Sequence, residues 1–324
     1  MKTMGFVISH KNNEARRALM PADLDKVQHV NQLYFETGYG ESVGCRDEEY
    51  ERAGANIVAR AEALACDMIV DVKLGDAGYV DEISSEKTLI GWAHAAQQID
   101  FTNAVVRDNH TVIAWEEMFE DGRYIFYRNR EIAGEAGVLQ AYQYVGKMPY
   151  ETKVAVLGNG QTAKGAMRIL HGLGADVDVY GIRLENLFKK NMYDYDVIVN
   201  CVLWDTNRSD RIIYREDLAS FKPGTMIVDI SCNHGLEIET TVPKPIDDPV
   251  YTIDGVIHYT VDNTPAMFPH SVTSVLSKGY AKYVDKLLEG ENDPVLKEAT
   301  IIEKGHILDE DVRKFREARG LEVK

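Results

Sequence analysis

Short apolar runs alternate with stretches of helical periodicity along most of this chain. Runs of four or five residues, rich in β-branched and aromatic side chains, predict buried strands, and the segments between them repeat apolar residues at helical spacing. Such alternation favours a mostly parallel sheet with helices on its faces. In the first part of the chain the predicted strands are 5–9, 33–36, 68–72, 88–92 and 111–115.

The most informative segment is residues 153–183. A predicted strand over 153–157 is followed by a glycine-containing turn, a helical pattern that runs to residue 174, and a second strand over 177–180. This order is typical of the βαβ unit that binds a dinucleotide pyrophosphate, and an ordinary tight turn is the alternative. Two glycines would permit the sharp turn and the approach of backbone to phosphate, and a small third residue would let helix and strand pack closely. The candidate cofactor-binding residues are Gly158, Asn159, Gly160, Gln161, Thr162 and Ala163.

The residues after the second strand bear on which dinucleotide binds. An NAD site usually carries Asp or Glu there to accept a hydrogen bond from the ribose 2′-hydroxyl, whereas a 2′-phosphate favours arginine. In this chain the acidic position is Gly181, and Arg183 lies two residues further on. The absent acid and the present arginine favour NADP (as NADPH), while a solvated loop charge is the alternative role for Arg183.

Two long helical patterns divide the chain. One, over 130–145, leads into the glycine turn, and the other, over 271–288, follows the last strand of that domain. At 324 residues the chain has the length of about two domains. We therefore predict an α/β fold with two Rossmann-like, doubly wound domains, joined by the long helices, with the active site in the cleft between them. The substrate (catalytic) domain would be discontinuous, over 1–128 and 273–324, and the NADP-binding domain would span 129–272.

Composition restricts the partners. A net charge of −16 argues against nucleic acid or an anionic membrane as partner, since both need a basic patch. The start of the chain lacks the charged-then-apolar pattern of a leader, and no apolar run approaches the ~20 residues of a membrane span. The four cysteines are scattered, and the histidines show no metal-binding spacing. We therefore expect reduced thiols, no metal and a cytoplasmic location.

Polar side chains that could carry chemistry follow the predicted strands of the first domain. Arg16 and Arg17 precede the helix start at Pro21, where a guanidinium group suits a carboxylate ligand. Lys73 and His94 stand at the ends of consecutive strands, and the carboxyl ends of parallel strands face the crevice in which ligands bind. These two residues are candidates for substrate binding and acid–base catalysis, and a structural role is the alternative for each.

Polar segments also follow two strands of the second domain. Residues 229–235 include Asn233, and residues 262–265 include Asn263. At these positions the side chains would face the nicotinamide, and buried capping of the loops is the alternative.

Taken in order, these motifs are similar to those of the alanine dehydrogenase and transhydrogenase N-terminal family over nearly the whole chain. The matching stretches are K-N-N-E-x-R-x-A-L-x-P over 11–21, V-K over 72–73, His94, E-I-A-G over 131–134, the glycine turn, V-D over 228–229 and N-T-P-x-x-x-P over 263–269. The resemblance implies that Arg16 and Lys73 hold a 2-oxo acid and that His94 donates and accepts the proton. It also implies that Asn263 lies beside the substrate and the nicotinamide.

The chain departs from the alanine dehydrogenase pattern at three places. Asn233 stands where those enzymes carry a catalytic aspartate, Gly181 where they carry an aspartate for the ribose, and Asn129-Arg130 where they carry Met-Ser. The chain is also several tens of residues shorter. Its I-S-H-K-N-N-E opening and its NADP-type turn resemble a smaller branch of the family, the N5-(carboxyethyl)ornithine synthases.

That resemblance implies an NADPH-dependent condensation of pyruvate with the side-chain amine of ornithine or lysine, and leaves the choice of amine open. Arg16 and Lys73 would bind pyruvate, and His94 would move protons as water leaves. Asn233 would orient a ligand, since a neutral amide cannot serve as a base. The alternatives are alanine dehydrogenase activity with ammonia, a saccharopine-type dehydrogenase, and a non-catalytic NADP-binding sensor. By analogy with the fold we expect a homo-oligomer.

Overall fold

The computed structural model describes residues 1–205 and 208–324. The chain forms two compact units, Met1–Phe126 with Pro269–Lys324 (unit 1) and Tyr127–Phe268 (unit 2). The chain passes from unit 1 to unit 2 after residue 126 and returns to unit 1 after residue 268, whereas the predicted boundaries are after residues 128 and 272. Each of the two long helices begins at one of these crossings. The predicted two-domain α/β fold with largely parallel sheets is confirmed.

Strands and helices alternate along most of the chain. The strands in chain order are β1 (Met4–Phe6), β2 (Leu33–Glu36), β3 (Asn56–Val58), β4 (Met68–Val70), β5 (Thr88–Gly91), β6 (Thr111–Ala114), β7 (Phe119–Glu120), β8 (Arg123–Tyr124), β9 (Lys153–Leu157), β10 (Asp176–Tyr180), β11 (Val197–Asn200), β12 (Met226–Asp229), β13 (Val250–Ile253), β14 (Val256–Tyr259), β15 (Thr300–Glu303) and β16 (His306–Ile307). The helices are α1 (Asp47–Arg52), α2 (Arg60–Ala65), α3 (Ile99–Arg107), α4 (Tyr127–Val145), α5 (Gln161–Gly172), α6 (Glu185–Asn191), α7 (Pro269–Glu289), α8 (Pro294–Glu298) and α9 (Glu310–Glu317).

Unit 1 contains an eight-stranded sheet in the order β16-β15-β6-β5-β4-β1-β2-β3. The pairings among β1 to β6 are parallel, so the carboxyl ends of these strands meet at one edge. The late strand β15 pairs antiparallel with β6, and β16 pairs antiparallel with β15. From α7, the fully buried Tyr280 packs against Phe6 and Trp115, with ring centroids 6.5 and 5.2 Å away. The C-terminal segment thus completes both the sheet and the core of unit 1.

Unit 2 contains a six-stranded sheet in the order β10-β9-β11-β12-β14-β13. Its first five strands are parallel, and β13 pairs antiparallel with β14 at the edge. The strands β9, β11 and β12 are almost entirely buried, as expected for a parallel sheet covered on both faces. On one face α4 and α5 lie against each other and against the sheet.

The sequence also predicts a helix over 57–65, and this prediction is wrong in its first part. Residues Asn56–Val58 form the edge strand β3, and the helix α2 starts only at Arg60. The side chains of β3 are all half-buried, so this strand lacks the alternation of buried and exposed positions that is typical of an edge strand. No helix within 1–205 or 208–324 combines the length and the apolar character that crossing a bilayer requires.

Candidate functional site

The turn after β9 has the geometry that a dinucleotide pyrophosphate requires. Gly158 has φ of +99°, and a Cβ at this residue would lie 2.9 Å from the carbonyl oxygen of Cys201. Beside Gly160 the space is open, so a ligand can approach the backbone. Gly160 precedes α5, and among the described residues no side chain caps that helix. Its first N–H groups and the positive end of its dipole therefore suit an anion.

The other residues of the turn occupy the places expected for this motif. Ala163 is fully buried in the layer between α5 and the sheet, which is the close packing predicted for a small third residue. Gln161 and Thr162 form the first turn of α5 and are half-buried. Asn159 is exposed, and its amide nitrogen lies 3.5 Å from the position that a Cβ of Gly181 would take. The residues present thus fit a bound dinucleotide.

The end of β10 lacks a carboxylate and is followed by an arginine. The strand ends at Tyr180, and Gly181 has no side chain that could accept a hydrogen bond from a 2′-hydroxyl. Arg183 is exposed in the 3₁₀ turn that follows. The next acid along the chain, Glu185, binds Arg208 through two contacts of 2.9 Å, and this partner holds the pKa of Glu185 below its usual range.

In unit 1, the carboxylate of Glu116 fixes the backbone at His94, which lies shortly after the end of β5. The N–H of His94 donates to Oε1 of Glu116 over 2.6 Å, and the N–H of Ala93 donates to Oε2 over 3.2 Å. His94 has φ of +44°, which is unusual for a residue other than glycine and is retained here by these two hydrogen bonds. At Gly91 a Cβ would collide with the carbonyl oxygen of Asp71, so the chain segments after β4 and β5 are in direct contact.

Lys73 and His94 belong to one cluster of positive charge. Lys73 is only 8% exposed, and burial, followed by the charges of Arg16 and Lys11, lowers its pKa to about 8. Desolvation also lowers the pKa of His94, although 44% of its side chain is exposed. The neighbouring cations Lys73, Lys11 and Arg16 add to this effect. At pH 7 the imidazole of His94 is therefore neutral, while most of the Lys73 amine still carries its proton. The structure thus brings together Arg16, Lys73 and His94.

The two adjacent arginines have different surroundings. Arg16 is 2% exposed, lies over the Trp92 ring, and donates from Nε and Nη2 to the carboxylate of Glu14 over 2.7 and 2.5 Å. Arg17 donates from Nε to the carbonyl oxygen of Tyr39 and from Nη1 to that of Arg16. Backbone carbonyls thus engage the guanidinium of Arg17, which gives it a structural role, while Arg16 lies in the cationic cluster.

The two asparagines predicted to face the nicotinamide both follow parallel strands of unit 2. Asn263 follows β14, is 6% exposed and begins a short 3₁₀ turn, with its carbonyl oxygen accepting from the N–H of Ala266 over 3.1 Å. Asn233 follows β12 and is half-buried. Its Nδ2 donates to both carboxylate oxygens of Glu237, over 3.1 and 3.3 Å.

Glu237 and Asn200 are two further polar residues of unit 2 that no sequence motif identifies. Both are fully buried, and Nδ2 of Asn200 donates to Oε1 of Glu237 over 3.1 Å and to Oδ1 of Asp229 over 2.9 Å. Asn200 is the last residue of β11 and pairs with Asp229, the last residue of β12. A polar residue at the end of a parallel strand is a pattern from which Asn200 could have been predicted as a site residue. Glu237 lies in an irregular loop, where a glutamate is ordinarily a solvated charge, and no motif identified it.

Comparisons with known proteins identify the family. The sequence patterns of the alanine dehydrogenase/PNT N-terminal and C-terminal domains match residues 8–125 and 182–311. An N(5)-(carboxyethyl)ornithine synthase of Lactococcus lactis is 32% identical over 291 residues, which cover 85% of this chain and 93% of the relative. An alanine dehydrogenase of Halomonas elongata is 27% identical over 317 residues, covering 86% and 85%.

The fold is also shared with a solved structure. An L-alanine dehydrogenase covers 97% of this chain, with 99% of its own length matched, at a TM-score of 0.84 and 23% identity. The two matching domain patterns and the relative at 32% identity agree with this fold. The chain therefore belongs to the alanine dehydrogenase/PNT family of nicotinamide-nucleotide-dependent oxidoreductases.

Proposed function

We propose that this protein catalyses the NADPH-dependent reductive condensation of pyruvate with the side-chain amine of ornithine or lysine. The observation that carries the reaction class is the cluster of Arg16, Lys73 and a neutral His94 at the carboxyl edge of the unit 1 sheet. A 2-oxo acid needs a cation for its carboxylate, a donor for its carbonyl oxygen and a group that accepts and returns protons. The name of the Lactococcus relative supports the choice of amine.

Each member of the cluster has a role in this proposal. Arg16 binds the pyruvate carboxylate, and the ammonium of Lys73 donates to the carbonyl oxygen so that the neutral amine of the amino acid attacks C2. His94 accepts the proton lost by the attacking nitrogen and returns it to the hydroxyl that leaves as water, giving a protonated imine that becomes the neutral secondary amine when a hydride adds to its carbon. The carboxylate of bound pyruvate offsets the neighbouring positive charges, and this raises the pKa of His94 for the step in which it accepts the proton. NADPH supplies the hydride that reduces the imine carbon.

The test is NADPH oxidation in the presence of pyruvate and one of three amines. We expect oxidation to require ornithine or lysine, and mass spectrometry to identify a secondary amine that carries a carboxyethyl group. Oxidation supported by ammonium, with alanine as product, would replace this proposal by alanine dehydrogenase activity, which the Halomonas relative supports. A product from lysine and 2-oxoglutarate would indicate a saccharopine-type reaction instead.

The preference for NADPH is part of the proposal and rests on Gly181 and Arg183. Arg183→Ala is expected to raise the Michaelis constant for NADPH by roughly 10-fold or more, because a charge-assisted hydrogen bond to the 2′-phosphate is lost. The constant for NADH should stay within about two-fold. Lys190→Ala, which removes an exposed cation from α6, is the matched control and should change neither value. Equal effects of Arg183→Ala on both cofactors would contradict this assignment.

A further inference from the structure

Unit 2 contains a buried network of two amides and two carboxylates that the proposed mechanism does not use. It links Asn200 at the end of β11, Asp229 at the end of β12, and Glu237 and Asn233 in the loop that follows. Asp229 and Glu237 are fully buried. In the part of the chain that the structure describes, neither carboxylate forms a salt bridge, and amide, hydroxyl and backbone donors satisfy them.

The network fixes the orientation of both amides. Oδ1 of Asn200 accepts the backbone N–H of Val202 over 3.2 Å, so its Nδ2 must face the carboxylates. Glu237, as a carboxylate, can only accept, and the Nδ2 of Asn233 therefore faces it. The Oδ1 of Asn233 is left on the opposite branch of the planar amide, directed away from Glu237.

Asn233 lies on the side of the sheet where the nicotinamide of a bound dinucleotide is expected. The pyrophosphate-binding turn follows β9, and the sheet order places β10 on one side of it and β11 and β12 on the other. Since the adenosine ribose meets the residues after β10, the nicotinamide half extends past the ends of β11 and β12. The carboxamide of that ring has an N–H donor that needs an acceptor.

We propose that Glu237 is a positioning residue for the nicotinamide: it holds the amide nitrogen of Asn233, so that Asn233 Oδ1 accepts a hydrogen bond from the carboxamide of the bound dinucleotide. This inference rests on the nicotinamide cofactor of the proposed function and is independent of the amine substrate and of the 2′-phosphate. Asn233 contacts the cofactor, and Glu237 acts through it.

The charges around Glu237 make the arrangement dependent on pH. Burial and the charge of Asp229 raise the pKa of Glu237 to about 7, and burial raises that of Asp229 as well. Cys232 also lies near both, and burial keeps its thiol neutral by raising its pKa, with Asp229, Asp262 and Glu237 adding to the effect. Below pH 7 Glu237 gains a proton, becomes a donor and no longer selects one orientation of Asn233. Cofactor affinity should accordingly fall as pH decreases from 8 to 6.

The test compares two ligands on Glu237→Gln in the full-length protein, using fluorescence or calorimetry. The first ligand is the dinucleotide, NADPH or NADH, that the wild type binds more tightly. The second ligand is the ADP-ribose with the same adenosine half, which lacks the nicotinamide. Glutamine offers one acceptor oxygen to two amide donors, so affinity for the first ligand should fall about 3- to 10-fold. Affinity for the ADP-ribose should not change, and the decrease of dinucleotide affinity between pH 8 and 6 should disappear.

Further variants separate positioning from folding. Glu239→Gln removes an exposed glutamate two residues away and should leave both affinities unchanged. Glu237→Asp, which keeps the carboxylate, should restore part of the lost affinity. Equal losses for the dinucleotide and the ADP-ribose, or no loss for the dinucleotide, would overturn the inference. If the wild type binds a dinucleotide but shows no amine-dependent turnover, the proposed function fails, and the affinities of the Glu237 variants still test this inference. If the wild type binds neither NADPH nor NADH, the proposed function and this inference both fail.

Discussion

His94→Gln is expected to lower turnover by about three orders of magnitude, which lies within the usual contribution of a general acid–base group. Glutamine keeps a polar side chain of similar reach but has no nitrogen that can accept and return a proton near neutral pH. The backbone hydrogen bond from residue 94 to Glu116 does not involve the side chain and should persist. The turnover number with saturating pyruvate and amine is the quantity to measure.

Two controls make this result specific. Dinucleotide affinity should be unchanged in His94→Gln, because the substitution alters none of the candidate cofactor-binding residues. His306→Gln, in an exposed position on β16, should retain wild-type turnover. If His94→Gln keeps turnover within a few-fold of the wild type, His94 is not the proton carrier.

Lys73→Met should raise the Michaelis constant for pyruvate by roughly 100-fold, because a donor and a charge are lost from the ligand's carbonyl oxygen. The wild type should also show a characteristic pH dependence. With a pKa of about 8, the Lys73 ammonium loses its proton as the pH rises through that value, and kcat/KM for pyruvate should decrease above it. Lys73→Arg should shift this decrease to higher pH, since a guanidinium keeps its charge.

Stability distinguishes this role of Lys73 from a structural one. Its folded-state pKa is lowered from 10.5, so burying the charged form destabilises the fold below pH 8, and the penalty diminishes as the pH rises towards 10. Lys73→Met should therefore melt no lower than the wild type at pH 7 while losing activity. Lys278→Met, at an exposed position on α7, is the matched control for both measurements. A large drop in melting temperature on Lys73→Met would instead indicate a structural lysine.

The part of the site that could be predicted from sequence depends on parallel strands. Lys73 and His94 follow β4 and β5, which are adjacent and parallel, so their place in the chain was enough to predict that they lie close together. The glycine turn was predictable because Gly158 must adopt a positive φ and space beside Gly160 must be open. Local chemistry and strand order together determine such features.

Other features depend on contacts that no local pattern records. Composition and spacing alone do not separate Arg16 from Arg17, although the family motif favours Arg16, and the hydrogen bond from Arg17 to the carbonyl of Tyr39 could not be predicted from either. Glu237 becomes buried because Asn200, which is 37 residues earlier in the chain, and its own loop with Asn233 enclose it, and the G-L-E-I-E segment does not indicate this. The strand β15 was missed because its pairing partner, β6, lies almost 190 residues earlier in the chain.

The antiparallel contact between β6 and β15 affects how the protein is made. During synthesis, residues 111–114 leave the ribosome long before Thr300–Glu303, and unit 2 lies between them in the chain. Until the last part of the chain emerges, β6 is an edge strand with unpaired backbone groups, which invites pairing with other nascent chains. This edge of the sheet is therefore exposed until the C-terminal segment of the same chain covers it.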